Sequence, residues 1–298
     1  MATATDLLGA ECQVALPSGS IAYHDRGTGP AVVFVHGIIA NADVWRHVVA
    51  ELADSYRCIA PDWPLGGHRL PMRSGTDFTL FGLAQLVDEF LAALNLEQVT
   101  LVGNDTGGAI VQAVLARHPA RLARAVLTPC DAFDNFLPPP IRHLEIIGRL
   151  PAGLWLLAQA LRYRRVQRLP LAFGRLTQRP IPEDIMRSYT AALRESRGVR
   201  QDFAALVRGI SPRFTQDAAL DLQGFDKPTL IAWARERRRF FPLEHAYQLA
   251  GHLPDAHVVP IENSGPFVTE DSPRTVARLI REFITTTQEE GARADRIR

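Results

Sequence analysis

The feature that most constrains the fold is the stretch Val99–Gly108, where an apolar run of strand length leads directly into a helical pattern. Its first half is rich in β-branched residues, and residues 109–117 carry apolar side chains at helical spacing. Gly103 and Gly107 stand two residues before and after Asp105. Because a tight turn crowds its central residue, glycine at these positions lets strand and helix approach. The stretch predicts a strand, a sharp turn with Asp105 at its apex, and a helix.

This Gly-x-Asp-x-Gly spacing resembles the nucleophile elbow of α/β-hydrolases, with Asp in place of the more usual Ser, as in haloalkane dehalogenases and epoxide hydrolases. The resemblance implies that the Asp105 carboxylate attacks a substrate carbon and forms an ester. The alternative is that Asp105 only caps the following helix, a common position for Asp. The implied fold is a mostly parallel, twisted sheet flanked by helices, with a helical cap inserted after the sixth strand.

The alternation of apolar strands and amphipathic helices along the chain independently predicts a mostly parallel sheet covered on both faces. After the stiff Pro138-Pro139-Pro140 run, amphipathic helical segments follow one another with no strand-like run between them. We therefore expect a core formed by residues 1–130 and 217–298, and a cap formed by residues 131–216. The last helix is predicted from Pro273 to about Ile284, and a disordered tail is predicted beyond Gln288.

Composition excludes several classes of function. The chain has 298 residues, 47% of them hydrophobic and 22% charged, as in ordinary globular proteins. A formal net charge of +1 gives no electrostatic case for nucleic acid or an anionic surface. No metal-ligand spacing, phosphate loop or dinucleotide fingerprint occurs. We expect a cytoplasmic, cofactor-free protein that binds a small-molecule substrate, has no membrane or nucleic-acid partner, and is a monomer or homodimer.

The resemblance assigns further positions around Asp105. A His36-Gly37 pair follows an apolar strand, as it does in the family. There, the backbone N–H groups of the next residue and of the residue after the nucleophile stabilise developing negative charge, which by position implies Ile38 and Thr106. His36 is expected to brace the loop, with acid–base support as the alternative.

Two of the three expected catalytic positions depart from the family pattern. The family's base is a His in a segment like Ser-Gly-His-Phe, whereas residues 264–267 read Ser-Gly-Pro-Phe, and the Pro266 side chain cannot accept a proton. The supporting acid would be Glu236, which is followed by three arginines, or, as in some dehalogenase-like relatives, Asp131 or Asp134. Without a His to orient, either aspartate lacks its usual task.

The remaining candidates concern the pocket. Relatives that open epoxides hold the ring oxygen with two cap tyrosines, for which Tyr163 and Tyr189 are possible counterparts. His68 is expected to be a solvated loop residue, with a catalytic role as the alternative, and the basic residues 162–165 are expected to form a solvated helix face. The predicted pocket residues are Trp45, Phe136, Tyr163, Tyr189, Pro266 and Phe267, and for Trp45 a position in the core is the alternative.

Three hypotheses follow. In the preferred one, Asp105 is a general acid or base, or an electrostatic anchor, in a dry pocket where desolvation raises its pKa. The reaction is then an elimination, isomerisation or cyclisation on a largely apolar substrate, of the kind found in specialised metabolism. In the second, Asp105 is the nucleophile of an epoxide hydrolase or haloalkane dehalogenase, and His68 or His143 replaces the missing base. In the third, the chain is an inactive ligand-binding relative.

Overall fold

The computed structural model describes residues 4–117, 119–150, 152–236 and 240–297, with side chains between residues 6 and 293 of these ranges. The arginines at 237–239, which follow Glu236, lie outside the described residues. No helix in the part of the chain that is described is long and apolar enough to cross a bilayer.

The described chain forms an eight-stranded sheet in the order β1-β2-β4-β3-β5-β6-β7-β8. The strands are β1 (Ala10–Leu16), β2 (Gly19–Arg26), β3 (Ala31–Val35), β4 (Arg57–Pro61), β5 (Val99–Asp105), β6 (Leu122–Cys130), β7 (Thr229–Ala234) and β8 (Ala256–Ile261). β1 and β2 form an antiparallel hairpin and β2 pairs antiparallel with β4, whereas the other pairs are parallel. The predicted mostly parallel sheet is confirmed.

Helices flank this sheet and form the segment between β6 and β7. The α-helices are α1 (Ala4–Leu8), α2 (Arg46–Leu52), α3 (Leu80–Ala93), α4 (Thr106–Leu115), α5 (His143–Ile147), α6 (Gly153–Ala160), α7 (Arg164–Gln167), α8 (Glu183–Glu195), α9 (Arg197–Gly209), α10 (Pro212–Asp221), α11 (Leu243–His252), α12 (Val268–Asp271) and α13 (Pro273–Ile297). Short 3₁₀ turns cover Ala42–Trp45, Pro139–Ile141 and Leu222–Gly224. α4 packs against β5 and β6, which fixes the elbow in the centre of the sheet.

Two predicted boundaries are compared with the structure: the end of the last helix and the end of the cap. The predicted helix end near Ile284 and the predicted disordered tail beyond Gln288 are wrong, because α13 continues to Ile297. Its last turns are rich in Glu, Ala and Arg, which are strong helix formers. The division of the chain at residue 217 stays a prediction, and it falls inside α10, which packs on α4 of the core.

Candidate active site

The elbow is a strained turn between β5 and α4. Asp105 has φ 56° and ψ −137°, a sparsely populated conformation that persists only where surrounding structure enforces it. The flanking glycines supply the room. A Cβ on Gly103 would lie 2.7 Å from the Gly108 Cα, and one on Gly107 would lie 2.2 Å from the Val35 carbonyl oxygen. β5 and α4 therefore approach each other closely at Gly103 and Gly107, as the glycine spacing predicts.

The Asp105 carboxyl is buried, with 3% of the residue exposed. It packs directly on the loop after β3, since a Cβ on Gly37 would lie 2.1 Å from Asp105 Oδ2. Its Oδ1 is buried and has no hydrogen-bond partner among the described residues. Burial raises the pKa of Asp105 to about 7, an effect that the backbone N–H of Thr106 partly opposes. Near neutral pH, both the acid and its conjugate base are populated.

A second buried carboxyl lies beside the first. Asp131 follows Cys130, the last residue of β6, and Cys130 pairs with Asp105 across the parallel ladder. The Thr106 hydroxyl donates to Asp131 Oδ2 at 2.8 Å, whereas Asp131 Oδ1 has no partner among the described residues. Burial, followed by the charge of Asp105, raises the pKa of Asp131 well above its usual range, against the Thr106 hydrogen bond. Ionisation of both carboxyls together is therefore disfavoured.

A narrow cavity opens above Asp105 under the cap and encloses about 40 Å³ of free space. Eleven of its thirteen described lining residues are apolar; the other two are Asp105 and His143. His143 is half-buried at the start of α5, and its Nδ1 lies 3.1 Å from the Pro140 carbonyl oxygen, so that Nδ1–H donates there and Nε2 keeps its lone pair. Ligand pockets are typically about 300–1,000 Å³. The cavity in this conformation is therefore smaller than a typical substrate pocket.

Ile38 and His36 lie on the loop after β3, and Thr106 is the first residue of α4. Ile38 lines the cavity beside Asp105. The Trp63 N–H donates to His36 Nε2 at 2.9 Å, and His36 Nδ1–H donates to the Gly37 carbonyl at 2.8 Å. Burial lowers the pKa of His36 to about 4, so the ring is neutral. Both ring nitrogens bind backbone groups, the arrangement of a histidine that braces the loop.

His68 does not lie in solvent, contrary to the expectation. Only 2% of it is exposed, because its loop folds under the cap. The Gly66 N–H donates to His68 Nδ1 at 3.3 Å, and His68 Nε2 lies 3.2 Å from Asp202 Oδ2 on cap helix α9. Asp202 also accepts from the Met72 N–H at 2.8 Å. His68 thus ties the core to the cap and does not line the cavity above Asp105.

None of the six predicted pocket residues is among the described residues that line this cavity. Trp45 is fully buried in the core against Phe34, with ring centroids 4.9 Å apart, because its 3₁₀ turn faces the sheet. Tyr163 points outward and is 68% exposed. Tyr189 is buried behind the cavity wall, where its hydroxyl lies 3.3 Å from Glu270 Oε1.

Pro266 nevertheless lies next to the elbow, through its backbone. The Asn104 side-chain amide donates to the Pro266 carbonyl at 3.1 Å and to the Pro129 carbonyl at 3.0 Å. Phe267 is buried, and its N–H donates to the Leu176 carbonyl at 2.8 Å. The segment 264–267 therefore contacts the elbow through the Pro266 carbonyl oxygen.

The other predicted pocket and acid positions are also remote from the cavity. Phe136 is 3% exposed and packs in the core. Glu236 Oε1 accepts the Phe241 N–H at 2.6 Å and lines a separate surface cleft. Asp134 is exposed, so Asp131 is the one of the three candidate acids that the fold brings to Asp105.

Sequence reasoning missed most of the cavity wall. Cap leucines, Phe173 and Phe240 line it, and no local motif marks them, because their orientation depends on how the cap helices pack. His143 was detectable in part, since it is the only histidine among residues 131–216. Its sequence position alone identified it only as one possible replacement base.

Fold and elbow define this chain as an α/β-hydrolase-fold protein. A family model described as the alpha/beta hydrolase fold matches residues 30–149. Solved α/β-hydrolase structures superpose along nearly the whole chain: a putative lipase from Acinetobacter baumannii has a TM-score of 0.77 at 19% identity, covering 96% of this chain and 95% of that one. The epoxide hydrolase CorEH has a TM-score of 0.76 at 20% identity, covering 93% and 99%.

Its sequence relatives include a decarboxylase and haloalkane dehalogenases. The chain is 29% identical over 282 residues to the cis-3-alkyl-4-alkyloxetan-2-one decarboxylase of Shewanella oneidensis, an alignment that covers 89% of this chain and 85% of the relative. It is 28% identical over 284 residues to haloalkane dehalogenase 2 of Mycobacterium tuberculosis, covering 89% of this chain and 91% of the relative.

Proposed function

We propose that this chain is a cofactor-independent enzyme in which Asp105 acts on a small, largely apolar substrate in a reaction that consumes no water. The observation that carries the proposal is the surroundings of Asp105. Its carboxyl has an unpartnered oxygen and a second carboxyl beside it, and no side-chain hydrogen bond from an imidazole reaches it among the described residues. A carboxyl with a pKa near 7 can act at neutral pH as an acid or base and, in its ionised form, as a nucleophile.

The absence of a base at residue 266 weighs against hydrolysis. In hydrolytic relatives with an Asp nucleophile, an imidazole activates the water that cleaves the ester. General-base assistance of this kind contributes typically 10²- to 10⁴-fold. With Pro266 at the corresponding place, an ester on Asp105 would persist unless the substrate itself expelled the carboxylate.

Loss of carbon dioxide from a four-membered lactone is such a reaction, and the name of one relative describes it. The Asp105 carboxylate would attack the saturated ring carbon that is bonded to the ring oxygen. The bond between that carbon and the ring oxygen would break, and its electron pair would stay on the oxygen, which becomes part of a carboxylate. That carboxylate would then lose CO₂, the released pair forming the C=C bond while the bond to Asp105 breaks. Asp105 is regenerated, no water enters and no proton is gained or lost. The Ile38 and Thr106 amides would stabilise the carboxylate that leaves.

Hydrolysis is the second candidate, and His143 favours it. It is the only other polar side chain among the described residues that line the cavity, and its Nε2 lone pair is not used by a described partner. An imidazole so placed could activate a water molecule against an ester on Asp105. The haloalkane dehalogenase and epoxide hydrolase relatives would then be the better guide to the reaction.

Single turnover in ¹⁸O-water tests the proposal. The purified chain is incubated with a cis-3,4-dialkyl β-lactone, an epoxide and a haloalkane, and the peptide containing Asp105 is analysed by mass spectrometry. We expect alkene and CO₂ from the lactone and no label in Asp105. Three results together would establish hydrolysis through His143 instead. Asp105 would carry the label in the unchanged chain, would lack it in His143→Gln, and would keep it in the exposed control His257→Gln. Tight binding with no turnover of any substrate would indicate a ligand-binding protein.

A further inference from the structure

One stretch of the cap has a charge composition unlike the rest of the chain. Residues 146–182 contain seven arginines and no Asp or Glu, although the whole chain is nearly neutral at +1. Glu145 and Glu183 bound this stretch. The net charge therefore conceals a strongly basic segment, which spans α6 and α7 and the turns around them.

The same segment carries most of the exposed apolar side chains. Among the described residues, nine large hydrophobic side chains are exposed, and seven of them lie between residues 146 and 171. They are Ile146, Leu150, Trp155, Leu156, Tyr163, Leu169 and Leu171. We call residues 146–171 the cap face. Exposed apolar clusters of this kind mark interaction sites more often than isolated exposed residues do.

This exposure belongs to a packed helix. On α6, Leu154 and Ala158 are buried, as expected for one helical face, whereas Trp155 and Leu156 point to the other. The buried face holds the helix against α8 and α9. Trp155 and Leu156 are therefore presented outward by a helix that is already anchored.

The arginines of this segment are mostly exposed and have no carboxylate partner among the described residues. Six of the seven are exposed, and none of them forms an ion pair with a carboxylate of the described residues. Some exposed arginines on other helices do have acidic partners, such as Arg213 with Asp217 and Arg278 with Glu282. The cap face thus presents positive charge that its own fold does not neutralise.

The cap face borders the candidate active site. Leu171 is 59% exposed and also lines the cavity above Asp105. Leu157 and Phe173, from the same basic segment, line that cavity too. An apolar molecule that reaches this face would therefore meet the cavity wall without crossing bulk water.

We propose that the cap face docks on a lipid surface with anionic headgroups, from which an apolar substrate enters the cavity. Leucine and tryptophan side chains would enter the interface, and the arginines would contact phosphate groups. A second copy of this chain is a poorer occupant, because a symmetric contact would bring two arginine clusters together. Binding to the lipid surface does not depend on which reaction Asp105 performs.

Tryptophan fluorescence tests the proposal directly, because the other three tryptophans are buried. Trp45, Trp63 and Trp233 are 0%, 2% and 0% exposed, whereas Trp155 is 42% exposed. With phosphatidylglycerol vesicles, we expect a blue shift and at least a threefold loss of acrylamide quenching, both reversed by high salt. Phosphatidylcholine vesicles should give a much smaller change. No change with either vesicle would overturn the proposal. Protection of Trp155 from acrylamide that rises with protein concentration in the absence of lipid would also overturn it, in favour of self-association.

Variants locate the surface. Replacing Arg162, Arg164, Arg165 and Arg168 together by Gln should lower partitioning into phosphatidylglycerol vesicles at least tenfold in a flotation assay, and Leu156→Ser should lower it severalfold. Matched controls are the paired and exposed Arg213→Gln and the exposed Leu220→Ser on α10, which should bind as the unchanged chain does. Equal loss in the controls and in the cap-face variants would contradict the assignment. Binding of an acidic protein with no binding of vesicles would do so as well.

Discussion

Two buried acidic sites in this molecule have opposite electrostatic surroundings. Glu270 accepts two hydrogen bonds from the buried Arg46 guanidinium, at 2.6 and 2.8 Å, and lies within reach of the Tyr189 hydroxyl. Asp105 and Asp131 have one side-chain donor between them, the Thr106 hydroxyl, and each keeps a buried oxygen with no partner in the described chain.

The difference indicates which site is structural. A bidentate Arg–carboxylate pair offsets the cost of burying both charges and joins α12 to the start of α2. At the elbow, the cost of burying a carboxyl is not offset and instead raises its pKa, which is the usual condition of a group used in proton transfer. We expect substitutions at the two sites to separate stability from activity.

The largest expected effect is on activity, from Asp105→Asn. The amide keeps the shape of the side chain but cannot attack carbon or exchange a proton, so we expect kcat to fall at least 10³-fold. The free energy of unfolding, measured in urea, should stay the same or rise, because a buried ionisable group is removed. A kcat within tenfold of the unchanged chain would exclude Asp105 from the chemistry.

At the paired site, Arg46→Met should mainly affect stability. It leaves Glu270 buried without its cation, which costs about 3–5 kcal/mol in such pairs. Urea unfolding measures the loss, and the double variant Arg46→Met with Glu270→Leu should recover most of it. The kcat of the folded fraction should change less than in Asp105→Asn. Equal stability of Arg46→Met and the unchanged chain would show that the pair does not matter for folding.

The pH dependence of stability tests the raised pKa of Asp105. The pKa of Asp105 is raised from 3.8 to about 7 on folding, so its neutral form stabilises the fold fully below pH 4, and that contribution is lost as pH rises towards 7. The stability of Asp105→Asn relative to the unchanged chain should therefore increase from pH 4 to 7. Each tenfold difference in proton affinity between the folded and unfolded chain corresponds to about 1.4 kcal/mol, which sets the upper bound of the increase. A flat difference between the two unfolding curves over this range would contradict the raised pKa.

The elbow was predictable because its signal is local. Gly103 and Gly107 are needed within two residues of Asp105, so the turn can be read from the chain without knowing what packs on it. The burial of His68 was not predictable, because it depends on Asp202, which lies 134 residues further along the chain. Trp45 and Tyr163 are both aromatic residues in amphipathic segments, and only the packing of those segments decides that one is in the core and the other in solvent.

The smallest expected effect comes from Asp131→Asn. Asn keeps an oxygen that can accept the Thr106 hydroxyl, and it resembles a carboxyl that holds its proton. We therefore expect kcat to stay within tenfold, far above the value for Asp105→Asn. Asp134→Asn, an exposed change three residues further along, is the matched control and should have no effect. If Asp131 instead supported an imidazole base, it would act as a charged group. The loss would then approach that of Asp105→Asn, and hydrolysis through His143 would become the better account of the site.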